Sequence, residues 1–175
     1  PEWLWSSIKM YIDGQRRRQL HVPDVEGWVE PFHGYMRSSS PIITWLGHAT
    51  VLIQIGDINI IGDPIFTSPS WVYERILPFG VSIQELPPID VVLISHNHRD
   101  HMDMKTLNYL FKRDNPLFLV PQGNEPWFKK RGSSRVEGHM WWDTYQAKEA
   151  HFTFVPTWHW SQRGLFDHNK TLWGG

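Results

Sequence analysis

Four metal-binding side chains stand close together in Ser95-His96-Asn97-His98-Arg99-Asp100-His101-Met102-Asp103. No regular helix or strand serves all four at the spacing His-x-His-x-Asp-His, so the motif predicts a loop wrapped around a metal ion. Neutral imidazole and carboxylate together suit zinc, with iron or manganese as alternatives. The competing interpretation is a histidine-rich surface loop that binds no ion.

The segments on either side of this stretch predict a strand before it and a helix after it. Ile89-Asp90-Val91-Val92-Leu93-Ile94 is a short apolar run of the kind that is buried on both faces of a sheet. Asp103 is a favourable N-cap residue, and apolar residues recur behind it at helical spacing. The ligand loop is therefore expected at the C-terminal end of a strand, where α/β folds place their sites.

The remaining elements predict a mixed sheet. β-Branched runs between Ile42 and Ile61, separated by two-residue turn signals, predict an antiparallel meander. Leu117-Phe118-Leu119-Val120 predicts a strand parallel to the one before the ligand loop, because a strand-helix-strand order favours a right-handed crossover. Further along, we expect a short helix from Glu125 to Arg131 and a strand from Ala150 to Pro156 that leads to His159.

The composition excludes several classes of protein. The 17 Lys and Arg residues nearly balance the 18 Asp and Glu residues, so no net field draws the chain to nucleic acid. The chain has no cysteine, which fits a reducing compartment and predicts a cytoplasmic location, with membrane association as the alternative. No apolar run approaches the roughly 20 residues that a membrane span needs.

Residues 1–40 are expected to form an N-terminal helix and loop segment ahead of the main domain at residues 41–175. An amphipathic helix with an aromatic face is predicted at the start of the chain, followed by Arg16-Arg17-Arg18. A helix packed on the core with a solvated basic end is the favoured interpretation. The alternative is a peripheral membrane contact, in which the aromatic face and the arginine cluster bind anionic lipid.

An ordered set of motifs accompanies the ligand loop from about Ile42 to the end of the chain. These motifs are Trp45-Leu46-Gly47-His48-Ala49-Thr50-Val51-Leu52, Asp63-Pro64-Ile65-Phe66, Leu86-Pro87-Pro88-Ile89-Asp90, Trp141-Trp142-Asp143, Pro156-Thr157-Trp158-His159-Trp160-Ser161 and Leu172-Trp173-Gly174-Gly175. With the loop motif they resemble the metallo-β-lactamase superfamily, in the branch that contains N-acylphosphatidylethanolamine-hydrolysing phospholipase D. The resemblance implies an α/β fold, the αββα sandwich, present mainly as its N-terminal half with the C-terminal part missing.

The resemblance also implies the metal ligands. His96 and His98 are expected to share one ion with His159, in a three-imidazole site that keeps an open position. Asp100, which is also the expected catalytic residue, and His101 are expected to bind a second ion. In the family that ion also needs a bridging aspartate and a final histidine from further along the chain, and neither is identified here. The first site is therefore expected to be complete and the second half built.

Two further residues are candidates for supporting the ligands. Asp63 is expected to accept a hydrogen bond from a ligand histidine and to fix its tautomer. A turn or helix cap before Pro64 is the alternative role for Asp63. His48 lies in a turn that the resemblance places near the metal loop, where it would either line the site or make a structural hydrogen bond.

The resemblance implies that the intact protein is a di-zinc hydrolase, a phospholipase D-like phosphodiesterase in which a metal-bound hydroxide attacks phosphorus. A lactone, an amide or a sugar phosphate is the alternative small-molecule substrate to a phospholipid, because metal ligands alone do not select a bond. A non-catalytic metal-binding fragment is the third interpretation. Because a truncated sheet leaves an open edge, we expect a homo-oligomer or association through that sheet.

Overall fold

The computed structural model describes residues 40–68 and 81–175, together with Trp5, Ser6 and Lys9 near the start of the chain. Those three residues are helical, as the sequence predicts for that segment, whereas the arginine cluster and the rest of the N-terminal segment lie outside the described residues. In the described part of the chain, no helix is long and apolar enough to cross a membrane.

Six strands form one mixed sheet, with the spatial order following the chain order. The strands are β1 (Ile42–Gly47), β2 (Thr50–Ile55), β3 (Ile58–Gly62), β4 (Val91–Leu93), β5 (Leu117–Pro121) and β6 (Val136–His139). The first three pair antiparallel, and each later strand pairs parallel with the one before it. The predicted meander and the predicted parallel pairing of β4 with β5 are both confirmed.

Helix α1 (Met104–Asp114) connects β4 to β5 across one face of the sheet. It begins behind Asp103, whose side chain accepts the backbone N–H of Lys105 and caps the helix as the sequence predicts. Its C-cap is Asn115, which adopts a left-handed backbone with φ of 48°. A second helix, α2 (Glu125–Lys129), follows β5 and is shorter than the predicted segment.

Three strands differ from the sequence prediction. The pattern does not predict β6 or β7 (Thr144–Ala147), and the strand expected to end at Pro156 is the shorter β8 (Ala150–Thr153). Strand β7 pairs antiparallel with β8 in a separate two-stranded sheet. These strands lack a run of β-branched apolar residues, so their extended form depends on pairing with a neighbour more than on local preference.

Both faces of the central strands of the main sheet are covered. On one face, α1 and the ligand loop pack against residues such as Ile61, Val92 and Phe118. On the other face, Tyr145 and Phe152 of the β7–β8 hairpin pack beside Ile60, Val91 and Leu119. Val91 and Val92 are thus buried on opposite faces, which explains the continuous apolar run of β4.

Candidate metal centre

The candidate site lies where β3 and β4 end. Asp63 directly follows β3, and the ligand loop starts two residues after β4. The backbone N–H of Asp63 donates to the Leu93 carbonyl at 2.9 Å, and that of Ile94 donates to the Leu119 carbonyl at 3.0 Å. These bonds place the carboxyl ends of neighbouring parallel strands side by side, so their polar side chains meet at one edge of the sheet.

Three imidazoles converge at this edge. His96 Nε2 lies 2.8 Å from His98 Nδ1 and 3.0 Å from His159 Nε2. Three nitrogens bound to one tetrahedral zinc ion at the usual Zn–N length would lie about 3.3 Å apart. The observed spacing differs from this value by a few tenths of an ångström, and neutral imidazole is a preferred zinc ligand. The donor set therefore fits a divalent ion.

The orientation of the His96 ring is fixed by Ser95 and Asp63. Asp63 accepts hydrogen bonds from the backbone N–H of Ser95 at 2.8 Å and from its hydroxyl at 2.5 Å. The Ser95 oxygen is then free to accept the Nδ1–H of His96 at 2.8 Å. This arrangement puts the His96 proton on Nδ1 and leaves the Nε2 lone pair facing the other two imidazoles.

Asp63 also contacts His101. The His101 Nδ1–H donates to Asp63 Oδ2 at 2.8 Å, and His101 Nε2 lies 3.7 Å from Asp100 Oδ2. Asp63 has a φ of 39°, a left-handed conformation that is uncommon outside glycine. One carboxylate thus contacts His101 directly and His96 through Ser95.

The electrostatics of the site keep two of the imidazoles neutral. Burial, reinforced by the neighbouring histidines, lowers the pKa of His96 to about 3. Burial and His159 lower the pKa of His98 as well. Burial opposes protonation of His101, but the hydrogen bond that His101 donates to Asp63, together with the negative charges of Asp63 and Asp100, outweighs burial and raises the pKa of His101. At neutral pH, His96 and His98 therefore present unprotonated nitrogens for metal binding.

His48 reaches the site from the turn between β1 and β2. Its Nε2 lies 3.0 Å from Asp100 Oδ2, so it contacts a residue 52 positions away in the chain. Burial acts to raise the pKa of Asp100, but nearby histidines, His101 foremost, bring it below its usual range. The structure thus brings together all seven residues that the sequence singles out, in three overlapping groups: His96, His98 and His159; His48, Asp100 and His101; Asp63, His96 and His101.

Arg163 is a contributor that sequence reasoning missed. Its guanidinium donates to the carbonyl of Asn97 at 3.2 Å and to that of Met102 at 2.8 Å, so it joins the beginning and the end of the ligand loop. It also lies over the Trp127 ring at 5.0 Å. Burial and the nearby Arg99 lower its pKa to about 10, which leaves it charged at neutral pH. No local sequence pattern indicates that an isolated arginine in a loop will bind the carbonyls of a distant loop.

Comparison with known proteins places the chain in a family. A family model described as the beta-lactamase superfamily domain matches residues 42–174. The mitochondrial N-acyl-phosphatidylethanolamine-hydrolyzing phospholipase D of Saccharomyces cerevisiae is 35% identical over 164 residues, which cover 89% of this chain and 34% of that protein. N-acyl-phosphatidylethanolamine-hydrolyzing phospholipase D 1 of Caenorhabditis elegans is 31% identical over 162 residues, which cover 83% of this chain and 44% of that protein.

The chain therefore spans between a third and a half of the length of these two relatives. Among solved structures, CmlA, a diiron beta-hydroxylase from Streptomyces venezuelae, matches with a TM-score of 0.56 at 23% identity, covering 73% of this chain and 25% of that one. At that identity the match shows a shared fold alone. Because the family model covers three quarters of the sequence, the chain belongs to the beta-lactamase superfamily and has N-acyl-phosphatidylethanolamine-hydrolyzing phospholipases D among its relatives.

Proposed function

We propose that the intact protein is a metal-dependent hydrolase that cleaves a phosphodiester bond of a phospholipid, as a phospholipase D does. The observation that carries the proposal is the 35% identity, over 164 residues, with a phospholipase of that specificity. The convergence of His96, His98 and His159 supports it, because such a donor set suits a hydrolytic zinc ion. Zinc is the proposed metal, and iron and manganese are the alternatives that elemental analysis would distinguish.

A divalent ion in this site would make a bound water more acidic and would neutralise charge on the phosphoryl oxygens. The residues of the chain would bind the ion and orient its ligands. His96, His98 and His159 hold the ion, while Ser95 and Asp63 keep the His96 ring in its binding orientation. The side chain of His159 is exposed, so one side of the cluster stays open to a substrate.

A lipid substrate is supported by exposed apolar side chains in the segment that carries His159. Trp158, which precedes it, is fully exposed, and Leu165 and Phe166 are 69% and 85% exposed. Exposed apolar side chains in a segment that also carries a candidate ligand are suited to contact with lipid or another apolar partner. In this proposal they contact the acyl region or the membrane surface while the headgroup reaches the metal, which would make the intact protein a peripheral membrane protein.

The proposal is tested by assaying the intact protein, loaded with zinc, on vesicles that contain N-acylphosphatidylethanolamine. We expect release of phosphatidic acid, which a His98→Ala variant does not produce. A small lactone and a sugar phosphate serve as competing substrates in the same assay. Turnover of either one without turnover of the lipid would contradict the proposal and favour hydrolysis of a different bond.

A further inference from the structure

We propose that the turn from Arg163 to Asp167 docks on the surface of an anionic phospholipid bilayer. The proposal rests on the proposed function, which requires contact with a lipid surface, and it names the part of the chain that makes this contact. The turn combines exposed apolar side chains in its middle with basic side chains beside its start. A bilayer with anionic headgroups offers the matching combination of an apolar interior and a negative surface.

The apolar part of the turn consists of Leu165 and Phe166, whose side chains are both largely exposed. Asp167 holds the backbone of the turn in place. Its Oδ1 accepts the backbone N–H of Arg163 at 3.0 Å and that of Gly164 at 2.7 Å. Because the turn is already ordered by these hydrogen bonds, it loses little conformational entropy when its apolar side chains enter a bilayer.

Three arginines gather beside the start of the turn. The guanidinium of Arg163 lies 5.0 Å from the centre of the Trp127 ring, and that of Arg131 lies 5.7 Å from it, both within the range of a cation–π contact. Arg99 Nη2 lies 3.5 Å from the Arg163 carbonyl oxygen. Burial, Arg99 and Arg131 all act to lower the pKa of Arg163, as expected where positive charges repel one another.

The negative charge near these arginines is engaged elsewhere. Among the residues that the structure describes, no ion pair includes Arg99, Arg131 or Arg163. Asp103 and Asp167 act on Arg163 from a distance, but Asp103 is buried at the start of α1 and Asp167 accepts the backbone N–H groups of its own turn. The exposed Arg99 and Arg131 can therefore donate to lipid phosphates.

The turn is also fixed relative to the ligand loop. Arg163, its first residue, donates to the carbonyls of Asn97 and Met102 at the beginning and the end of that loop. Docking through the turn would therefore bring the ligand loop to the bilayer surface together with it. A hydrolase that acts on a phospholipid needs this placement, because the scissile bond lies at the level of the headgroups.

The test is sedimentation of the metal-free 175-residue chain with vesicles. Vesicles of phosphatidylcholine mixed with phosphatidylglycerol supply the negative surface, and vesicles of phosphatidylcholine alone are the comparison. We expect stronger binding to the anionic vesicles, and we expect it to weaken as the salt concentration rises, because salt screens exposed charges. Removal of the metal separates binding from catalysis.

Two pairs of variants separate the apolar contribution from the electrostatic one. We expect Leu165→Ser to weaken binding to the anionic vesicles about tenfold or more, and Arg99→Gln to weaken it about fivefold. Met140→Ser removes an exposed apolar side chain outside the turn and is the control for the first variant. Arg135→Gln removes an exposed arginine that donates to the Asn115 carbonyl, before β5, and is the control for the second. Far-UV circular dichroism confirms that each variant remains folded.

Other results would overturn the docking surface. Equal binding to the neutral and the anionic vesicles would contradict it, as would equal losses in a variant and its control. If Leu165→Ser left vesicle binding unchanged but dissociated an oligomer in analytical ultracentrifugation, the turn would be an interface between copies of the chain. Vesicle binding as expected, by a protein whose zinc-loaded intact form releases no phosphatidic acid, would contradict the proposed function and leave the docking surface in place.

Discussion

At the scale of single residues, His98 is the most direct test of the three-imidazole centre. Its Nδ1 lies 2.8 Å from His96 Nε2, so His98→Ala removes one of the three converging nitrogens. We expect zinc affinity at this centre to fall about 100-fold or more, a larger loss than that of a residue that only supports a ligand. Elemental analysis of protein purified without added metal measures the change, with His151→Ala as the control. Unchanged zinc content in His98→Ala would show that the ligand assignment is wrong.

Arg163 is not a candidate ligand, but it contacts the loop that carries the candidate ligands. Arg163→Lys keeps a positive charge but loses the planar guanidinium that reaches the carbonyls of Asn97 and Met102. We expect zinc affinity to fall about 10-fold, in the range measured for residues that hold ligands in position. Arg135→Lys is the matched control, because the Arg135 guanidinium donates to the Asn115 carbonyl and not to the ligand loop. Equal affinities in the two variants would remove this role from Arg163.

At the scale of elements, Asp103 joins the ligand loop to helix α1. Its carboxylate accepts the Lys105 N–H at 3.1 Å and the hydroxyls of Thr67 and Thr106 at 2.8 and 2.6 Å. We expect Asp103→Ala to lower the free energy of unfolding by about 0.5–2 kcal/mol, the usual effect of losing an N-cap. Urea denaturation measures this difference.

The conservative variant Asp103→Asn separates capping from the other contacts of Asp103. Asparagine keeps an oxygen that can cap the helix, so we expect it to retain most of the stability lost in Asp103→Ala. An equally large loss in both variants would mean that the charge of Asp103, and not the cap, supports this junction.

At the scale of the whole molecule, β1 forms one edge of the main sheet and carries two exposed apolar side chains. Ile43 and Trp45 are 69% and 70% exposed and point to the same face of the strand. An exposed apolar edge strand favours pairing with another chain. We therefore predict that the chain forms a homo-oligomer through this edge.

Ile43→Lys tests this association. Full burial of an isoleucine side chain contributes about 1.5–3 kcal/mol, so we expect the dissociation constant of the oligomer to rise about tenfold or more. Analytical ultracentrifugation over a range of concentrations measures it. Gln122→Lys adds the same charge in an exposed turn away from β1 and serves as the control. A wild-type chain that is monomeric at every concentration would contradict the prediction.

The elements whose signals are local could be predicted from the amino-acid sequence. The apolar run of β4, the cap at Asp103 and the turn signals of the β1–β3 meander each lie within a few contiguous residues, and each element forms where these signals predict it. The spacing of the histidines in the ligand loop likewise indicates a metal site without knowledge of the fold. His159, by contrast, is identified from the family resemblance, because nothing near it in the chain marks it as a ligand.

The contacts between residues far apart in the chain depend on the tertiary structure. Ser95 and Asp63 are 32 residues apart, His96 and His159 are 63 apart, and Arg163 lies 66 residues from Asn97. Strands β6 and β7 also form only because β5 and β8 offer them partners. Such contacts depend on which strands pair and on which strand ends lie side by side. The local conformational preferences of a short segment do not contain that information.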